Sequence, residues 1–188
     1  MTTQSTTSLT KTLMGIAAGC LMLSALLPVS GGIAAAETAG SSQQVNVAFL
    51  GVTFINDNEG YEPTSDAERA RLKNVEEIFT GRLGKSGQYA FLPVSSEVRA
   101  QIANGQAIGE CGGCEIDYGK QLKAERIAWI RVQKVSNLIL NMNVFMADVA
   151  TSKMTFVRSV DIRGNTDETW TKSINWLIKN YMIPATSL

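Results

Sequence analysis

The chain has 188 residues, 17 basic and 17 acidic side chains, no histidine, and 45% hydrophobic residues. A balanced charge without a basic block argues against nucleic acid, whose affinity comes from neutralising phosphates, and against an electrostatic hold on a membrane surface. The missing histidine removes the usual base of Ser and Cys triads.

Residues 1–36 read as an export signal rather than part of the fold. A polar leader with one positive charge at Lys11 precedes the apolar run "LMGIAAGCLMLSALLPV", and Ala34-Ala35-Ala36 supplies the A-x-A pattern of a signal-peptidase site. Cleavage after Ala36 predicts a periplasmic chain starting at Glu37, with a flexible stretch over 37–43 and one domain over 44–188. Lys11 leaves with the signal, so the remainder carries one net negative charge. "IAAGC" offers a minor alternative, a lipoprotein acylated at Cys20, but the apolar run continues past Cys20 where a lipobox cysteine should end it. No later stretch approaches the ~20 apolar residues needed to span a bilayer.

"VNVAFLGVTFI", 45–55, is β-branched and apolar on both faces, as a central strand is. After the loop "NDNEGYEPT", Ser65 and Glu68 form a capping-box pattern that opens a helix carrying Leu72, Val75, Ile78, Phe79 and Leu83 and stopping at Gly84. "QYAFLPV", 88–94, is a second strand, and Ser96 to about Asn104 a second helix. The cysteine loop follows, then a short helical segment to about Glu125 that Gly119 weakens. Strands over 126–135, 137–148 and 153–162 come in a row; in the middle one, Leu138, Leu140, Met142, Val144 and Met146 alternate with Ile139, Asn141, Asn143 and Phe145. Asn165 to Glu168 reads as another capping box, opening a last helix with Trp170, Ile174, Leu177, Ile178 and Tyr181 on one stripe and Pro184 beyond its end. The order β-α-β-α-(α)-β-β-β-α predicts an α/β (α+β) domain with a mixed sheet of about five strands.

"GECGGCEIDYG", 109–119, holds Cys111 and Cys114, the cysteines left after signal removal. In an oxidising compartment a neighbouring pair defaults to a disulfide, and Gly112-Gly113 give the turn its freedom. Haem attachment fails because Glu115 stands where a histidine is required, and two thiolates alone leave a zinc site half built. A dithiol-disulfide oxidoreductase is the alternative, opposed by the flanking Glu110 and Glu115, which would raise a thiol pKa.

"GRLGKSG", 81–87, is not a phosphate loop: the pattern needs a glycine where Phe79 stands and a strand before it. Asp57, Glu59, Glu62 and Asp66, with Asn58 among them, cluster beyond the carboxyl end of the first strand, where α/β sheets favour ligands. Their oxygens suit calcium, but an EF-hand register would place Ile55 at the first ligand position. Trp176 lies off the apolar stripe of the last helix, close in angle to Ile183, and an off-stripe tryptophan suits a docking anchor. Packing beneath a neighbouring loop explains it equally well.

The opening "VNVAFLGVTFIND", a helix, "QYAFLPVSS", a helix, and "AERIAWIRVQKVSNLILNMNVFMADVATSK" with a closing helix resemble the small α/β domain at the amino terminus of TolB and in CsgG-like envelope proteins. More closely, "ECGGCEIDYGKQL", "VQKVSNLILNMNV" and "DIRGNTDETW" resemble an uncharacterised family of secreted proteobacterial proteins catalogued as a domain of unknown function. That resemblance implies an envelope accessory protein, with some members serving beside quinoprotein alcohol dehydrogenases, and brings no catalytic residues. The expectation is therefore a non-enzymatic periplasmic protein without cofactor that binds another envelope protein, using a sheet edge and the Trp176 face. A redox protein or a small-ligand or cation carrier are the alternatives.

Overall fold

The computed structural model describes residues 44–183. The signal, its cleavage point at Ala36, Cys20, the 37–43 stretch and Pro184 lie outside the described residues. The elements are β1 (Val45–Asn56), α1 (Asp66–Lys85), β2 (Tyr89–Leu92), α2 (Ser96–Asn104), α3 (Cys114–Gln121), β3 (Arg126–Lys134), β4 (Ile139–Asp148), β5 (Met154–Arg163) and α4 (Asp167–Leu177), which continues into a π-helical turn at Ile178–Met182. They build one five-stranded mixed sheet in the order β2-β1-β3-β4-β5. β1 runs parallel to β2 and β3, and β3, β4 and β5 form an antiparallel meander.

The chain leaves β1 toward β2 on one side and returns past it to β3 on the other. Right-handed crossovers in opposite directions put their helices on opposite faces of the sheet. One face buries the larger core, where Val75, Phe79 and Leu83 of α1 meet Trp170, Ile174 and Leu177 of α4 over Ala128, Ile130 and Val132 of β3 and Leu140, Met142, Val144 and Met146 of β4. Arg71 pairs with Asp167 at 2.6 Å and Arg82 donates to the Asn175 Oδ1 at 2.6 Å, fastening α1 to α4. The second face holds a smaller core, with Val98 of α2 and Tyr118 of α3 over Ala48, Leu50, Ile127 and Trp129. No β5 residue joins that second core. Over the rest of β4 and β5 this face carries Asn141, Asn143 and Ser159, bonded to one another, while Phe145 of β4 packs against the second core.

Several boundaries move from their sequence positions, each for a local reason. β2 ends at Leu92 rather than at 94, because Pro93 has no N–H for a ladder. α1 continues through Gly84 to Lys85, and the left-handed residue after it is Gly87 at φ 74°. The last helix is capped by Thr166, whose side chain accepts from the Thr169 N–H at 3.2 Å. Asn165 is not the cap; its side chain accepts from the Trp170 indole and donates to Glu68. β4 begins at Ile139, so Leu138 leaves the buried series and is 76% exposed in the turn. β1 contains a bulge between Phe49 and Val52, with Gly51 at φ +113° supplying the extra residue. Gly119 does not break α3. A Cβ there would stand 2.6 Å from Val149 and 2.7 Å from Ile127, so the glycine is what lets α3 lie on the sheet.

Candidate partner interface and the loop clusters beside it

The acidic loop between β1 and α1 organises around a residue that sequence reading missed. Lys134, the last residue of β3, points into the first core and is 1% exposed. Its Nζ donates to Glu68 at 2.8 Å and to Glu62 at 3.0 Å. Glu68 is itself 2% exposed and also accepts from Ser65 N at 2.7 Å and Asn165 at 2.8 Å. Asn137 donates to Glu62 at 2.6 Å. The cluster ties the loop, α1, the β3–β4 turn and the start of α4 into one knot. Burial pushes the Glu68 carboxyl up, but the Lys134, Ser65 and Asn165 donors outweigh it and hold the group at about 2 against an ordinary 4.5. Burial likewise favours neutral Lys134, yet its bonds to Glu68 and Glu62 raise it above 10.5. Nothing in "RIAWIRVQKV" marked the lysine as buried; a strand-end lysine reads as solvated.

The four carboxylates considered for a cation have other work. Glu59 accepts from Thr64 through backbone and side chain at 3.0 and 2.5 Å and from Asn56 at 3.0 Å, and those bonds hold its carboxyl below the ordinary range. Glu62 serves Lys134 and Asn137, Asp57 accepts from Gln133 at 3.1 Å, and Asp66 pairs with Arg69 at 2.6 Å. Among the described residues these carboxylates form no convergent group of metal-ligating atoms; the group that does converge is Cys111, Cys114 and Glu115.

At that group the two cysteines are close, with Cα atoms 5.6 Å apart, inside the span of a disulfide. Gly112 and Gly113 both sit at positive φ, 69° and 116°, as a tight ring requires. Glu115 is buried, accepts from the Gly109 N–H, and lies 3.3 Å from the Cys111 sulfur. Glu110 turns instead to Arg131, 3.5 Å away. The Glu115 carboxylate thus stands behind a close pair of cysteines in a two-glycine turn. Beneath the loop, Trp129 stacks on Phe145 with centroids 5.1 Å apart, and its indole N–H has no partner among the described residues.

Trp176 and Ile183 part company. Trp176 is 49% exposed, whereas Ile183 is 7% exposed and packs in the first core. Tyr181 moves the other way: it leaves the Trp170–Ile174 stripe, is 48% exposed, and meets Trp176 edge-on at 5.5 Å and 77°. The cause is the π-helical turn at Ile178–Met182. Its extra residue per turn delays the register by one, so Met182 takes the buried position that a continued 3.6-residue period assigns to Tyr181. From β5, the Arg158 guanidinium lies 5.3 Å over the Tyr181 ring and 5.9 Å from Phe156. Arg158 has no carboxylate partner among the described residues. β5 is the edge of the sheet, with β4 as its one strand neighbour, and Met154 and Val157 on it are nearly half exposed. No helix among the described residues is long and apolar enough to cross a membrane.

A family model described as DUF3280, "Protein of unknown function (DUF2380)", matches residues 45–182. Among curated protein sequences none matches the chain. Solved structures similar to it include the PelC dodecamer from Paraburkholderia phytofirmans, at 12% identity, covering 75% of this chain and 89% of that one, with a TM-score of 0.48. Lipoprotein GNA1162 from Neisseria meningitidis is similar at 10% identity over 73% of this chain and 99% of that one, TM-score 0.46. TolB from Acinetobacter baumannii is similar at 13% identity over 77% of this chain and 30% of that one, TM-score 0.43.

Proposed function

We propose that this chain, which belongs to the DUF3280 family of proteins of unknown function, is a non-enzymatic accessory protein of the periplasm that binds another envelope protein. The observation that carries the reading is the stack of Trp176, Tyr181 and Arg158 beside the β5 edge. Tryptophan, tyrosine and arginine are the residues that dominate binding hot spots, and here they stand together at the surface although the first core lies one helix face away. The unpaired edge of β5 adds backbone donors and acceptors that a partner can use. The A-x-A pattern at Ala34–Ala36 and the Cys111–Cys114 pair support export. The family resemblance makes a quinoprotein dehydrogenase the first partner to look for.

The test is cross-linked co-purification of the tagged protein from its native envelope fraction, beside the Trp176→Ala variant. Trp176 is half exposed, so the variant keeps its melting temperature while losing the partner, with affinity reduced by about 2 kcal/mol or more as for other hot-spot tryptophans. Equal recovery by a folded variant removes this face from the reading. Recovery of the protein alone, in both forms, turns attention to the cysteine loop.

A further inference from the structure

β2 is the shortest strand, and chemistry ends it. It pairs with β1 across Val45–Ala48 only, and Pro93, with no N–H to donate, follows directly. β1 runs on from Phe49 to Asn56 with β3 as its one strand neighbour among the described residues. Its other edge therefore presents peptide groups with no strand opposite, in line with β2 and just past its end. A cavity of about 470 Å³ lies there. Phe49, Leu50 and Gly51 of β1 form its floor with the end of β2, α1 contributes Glu76 and Thr80, and α2 contributes Arg99 and Ile102. A Cβ built on Gly51 would meet nothing within 4 Å, so the slot stays open over the bulge.

The two walls carry opposite charges, and neither Glu76 nor Arg99 has an ion-pair partner among the described residues. Desolvation by the surrounding slot, and secondarily the neighbouring Glu77, raises the carboxyl of this otherwise exposed Glu76. Because α1 and α2 lie on opposite faces of the sheet, their charges face opposite sides of whatever continues the line of β2. Successive side chains of a strand also alternate between faces.

We propose that this slot takes an extended peptide segment of another protein by strand addition to β1, with a basic side chain toward Glu76 and an acidic one, its immediate neighbour, toward Arg99. Main-chain bonds to the β1 edge supply the hold, and the apolar floor with its two charged walls supplies the choice of sequence. A compact apolar ligand would fill the cavity but leave the strand edge unused.

The probe is a capped hexapeptide of sequence VVKEVV, titrated into the isotope-labelled protein while backbone amide signals are followed. Shifts concentrated at residues 49–53 and at Leu92 and Val94 are expected, and Trp176→Ala leaves them unchanged. The reversed peptide VVEKVV should bind about tenfold more weakly, having lost two ion pairs, and the double variant Glu76→Lys with Arg99→Glu should invert that preference. Both substitutions sit on exposed helix positions, so the same spectra verify the fold. A backbone-methylated VVKEVV, unable to form the ladder, should not bind. Absence of shifts in the slot overturns the proposal, equal binding of the methylated peptide overturns strand addition, and indifference to charge reversal overturns the assigned recognition.

Discussion

Replacing Lys134 by methionine should cost the fold about 3–5 kcal/mol at neutral pH, because it leaves Glu68 ionised and buried with no cation. The Glu68 carboxyl sets the scale independently. Its depression from 4.5 to about 2 corresponds to roughly 3 kcal/mol of preference for the ionised form in the folded state. A depressed acid contributes stability above its unfolded value that is lost as pH falls through its folded value. The native protein should therefore weaken steadily between about pH 4.5 and 2. Lys134 has the opposite sign: its contribution is complete below 10.5 and disappears only as pH rises through its still higher folded value, so neutral to mildly alkaline buffers leave it intact. In Lys134→Met the Glu68 carboxyl protonates readily, and the variant should lose little on acidification. Urea unfolding followed by the fluorescence of the buried Trp129 and Trp170, at stepped pH, gives both curves. The gap between them should be widest near neutrality and should close toward pH 3 or so. A variant within about 1 kcal/mol of the native protein at pH 7, or two parallel pH profiles, refutes the claim that this pair is a coupled buried knot.

Gly119→Ala places a methyl against Val149 and Ile127 and should cost about 1–3 kcal/mol by overpacking, visible as a lower melting temperature; an unchanged melting temperature means α3 rides freely on the sheet. On the staple reading, Cys111→Ser with Cys114→Ser removes a four-residue ring, worth about 2 kcal/mol in the chain-entropy account. A folded double variant that nonetheless fails to restore function in cells lacking the protein favours the redox alternative over the staple. Millimolar calcium should leave the melting temperature unchanged, since Asp57, Glu59, Glu62 and Asp66 already have protein partners; a dose-dependent rise revives the cation reading.

The chain's own sequence determined what depends on neighbours a few residues apart. The period of two in Leu140, Met142, Val144 and Met146 made β4 and its buried face legible, and Ser65 with Glu68 marked the start of α1. The same local chemistry explains the cysteine turn, where two glycines and two thiols lie within one loop. Tertiary structure decided whatever depends on distant partners. Glu68 is a helix cap in the sequence but becomes a buried anion because Lys134, sixty-six positions away, is brought to it by the parallel pairing of β1 and β3. Tyr181 belonged to the apolar stripe until the π-helical turn shifted the register by one residue and brought its ring to Trp176. The slot beyond Pro93 is further still from local legibility. The proline announces that β2 stops, but only the strand order shows that the edge it leaves bare belongs to β1, between Glu76 of α1 and Arg99 of α2.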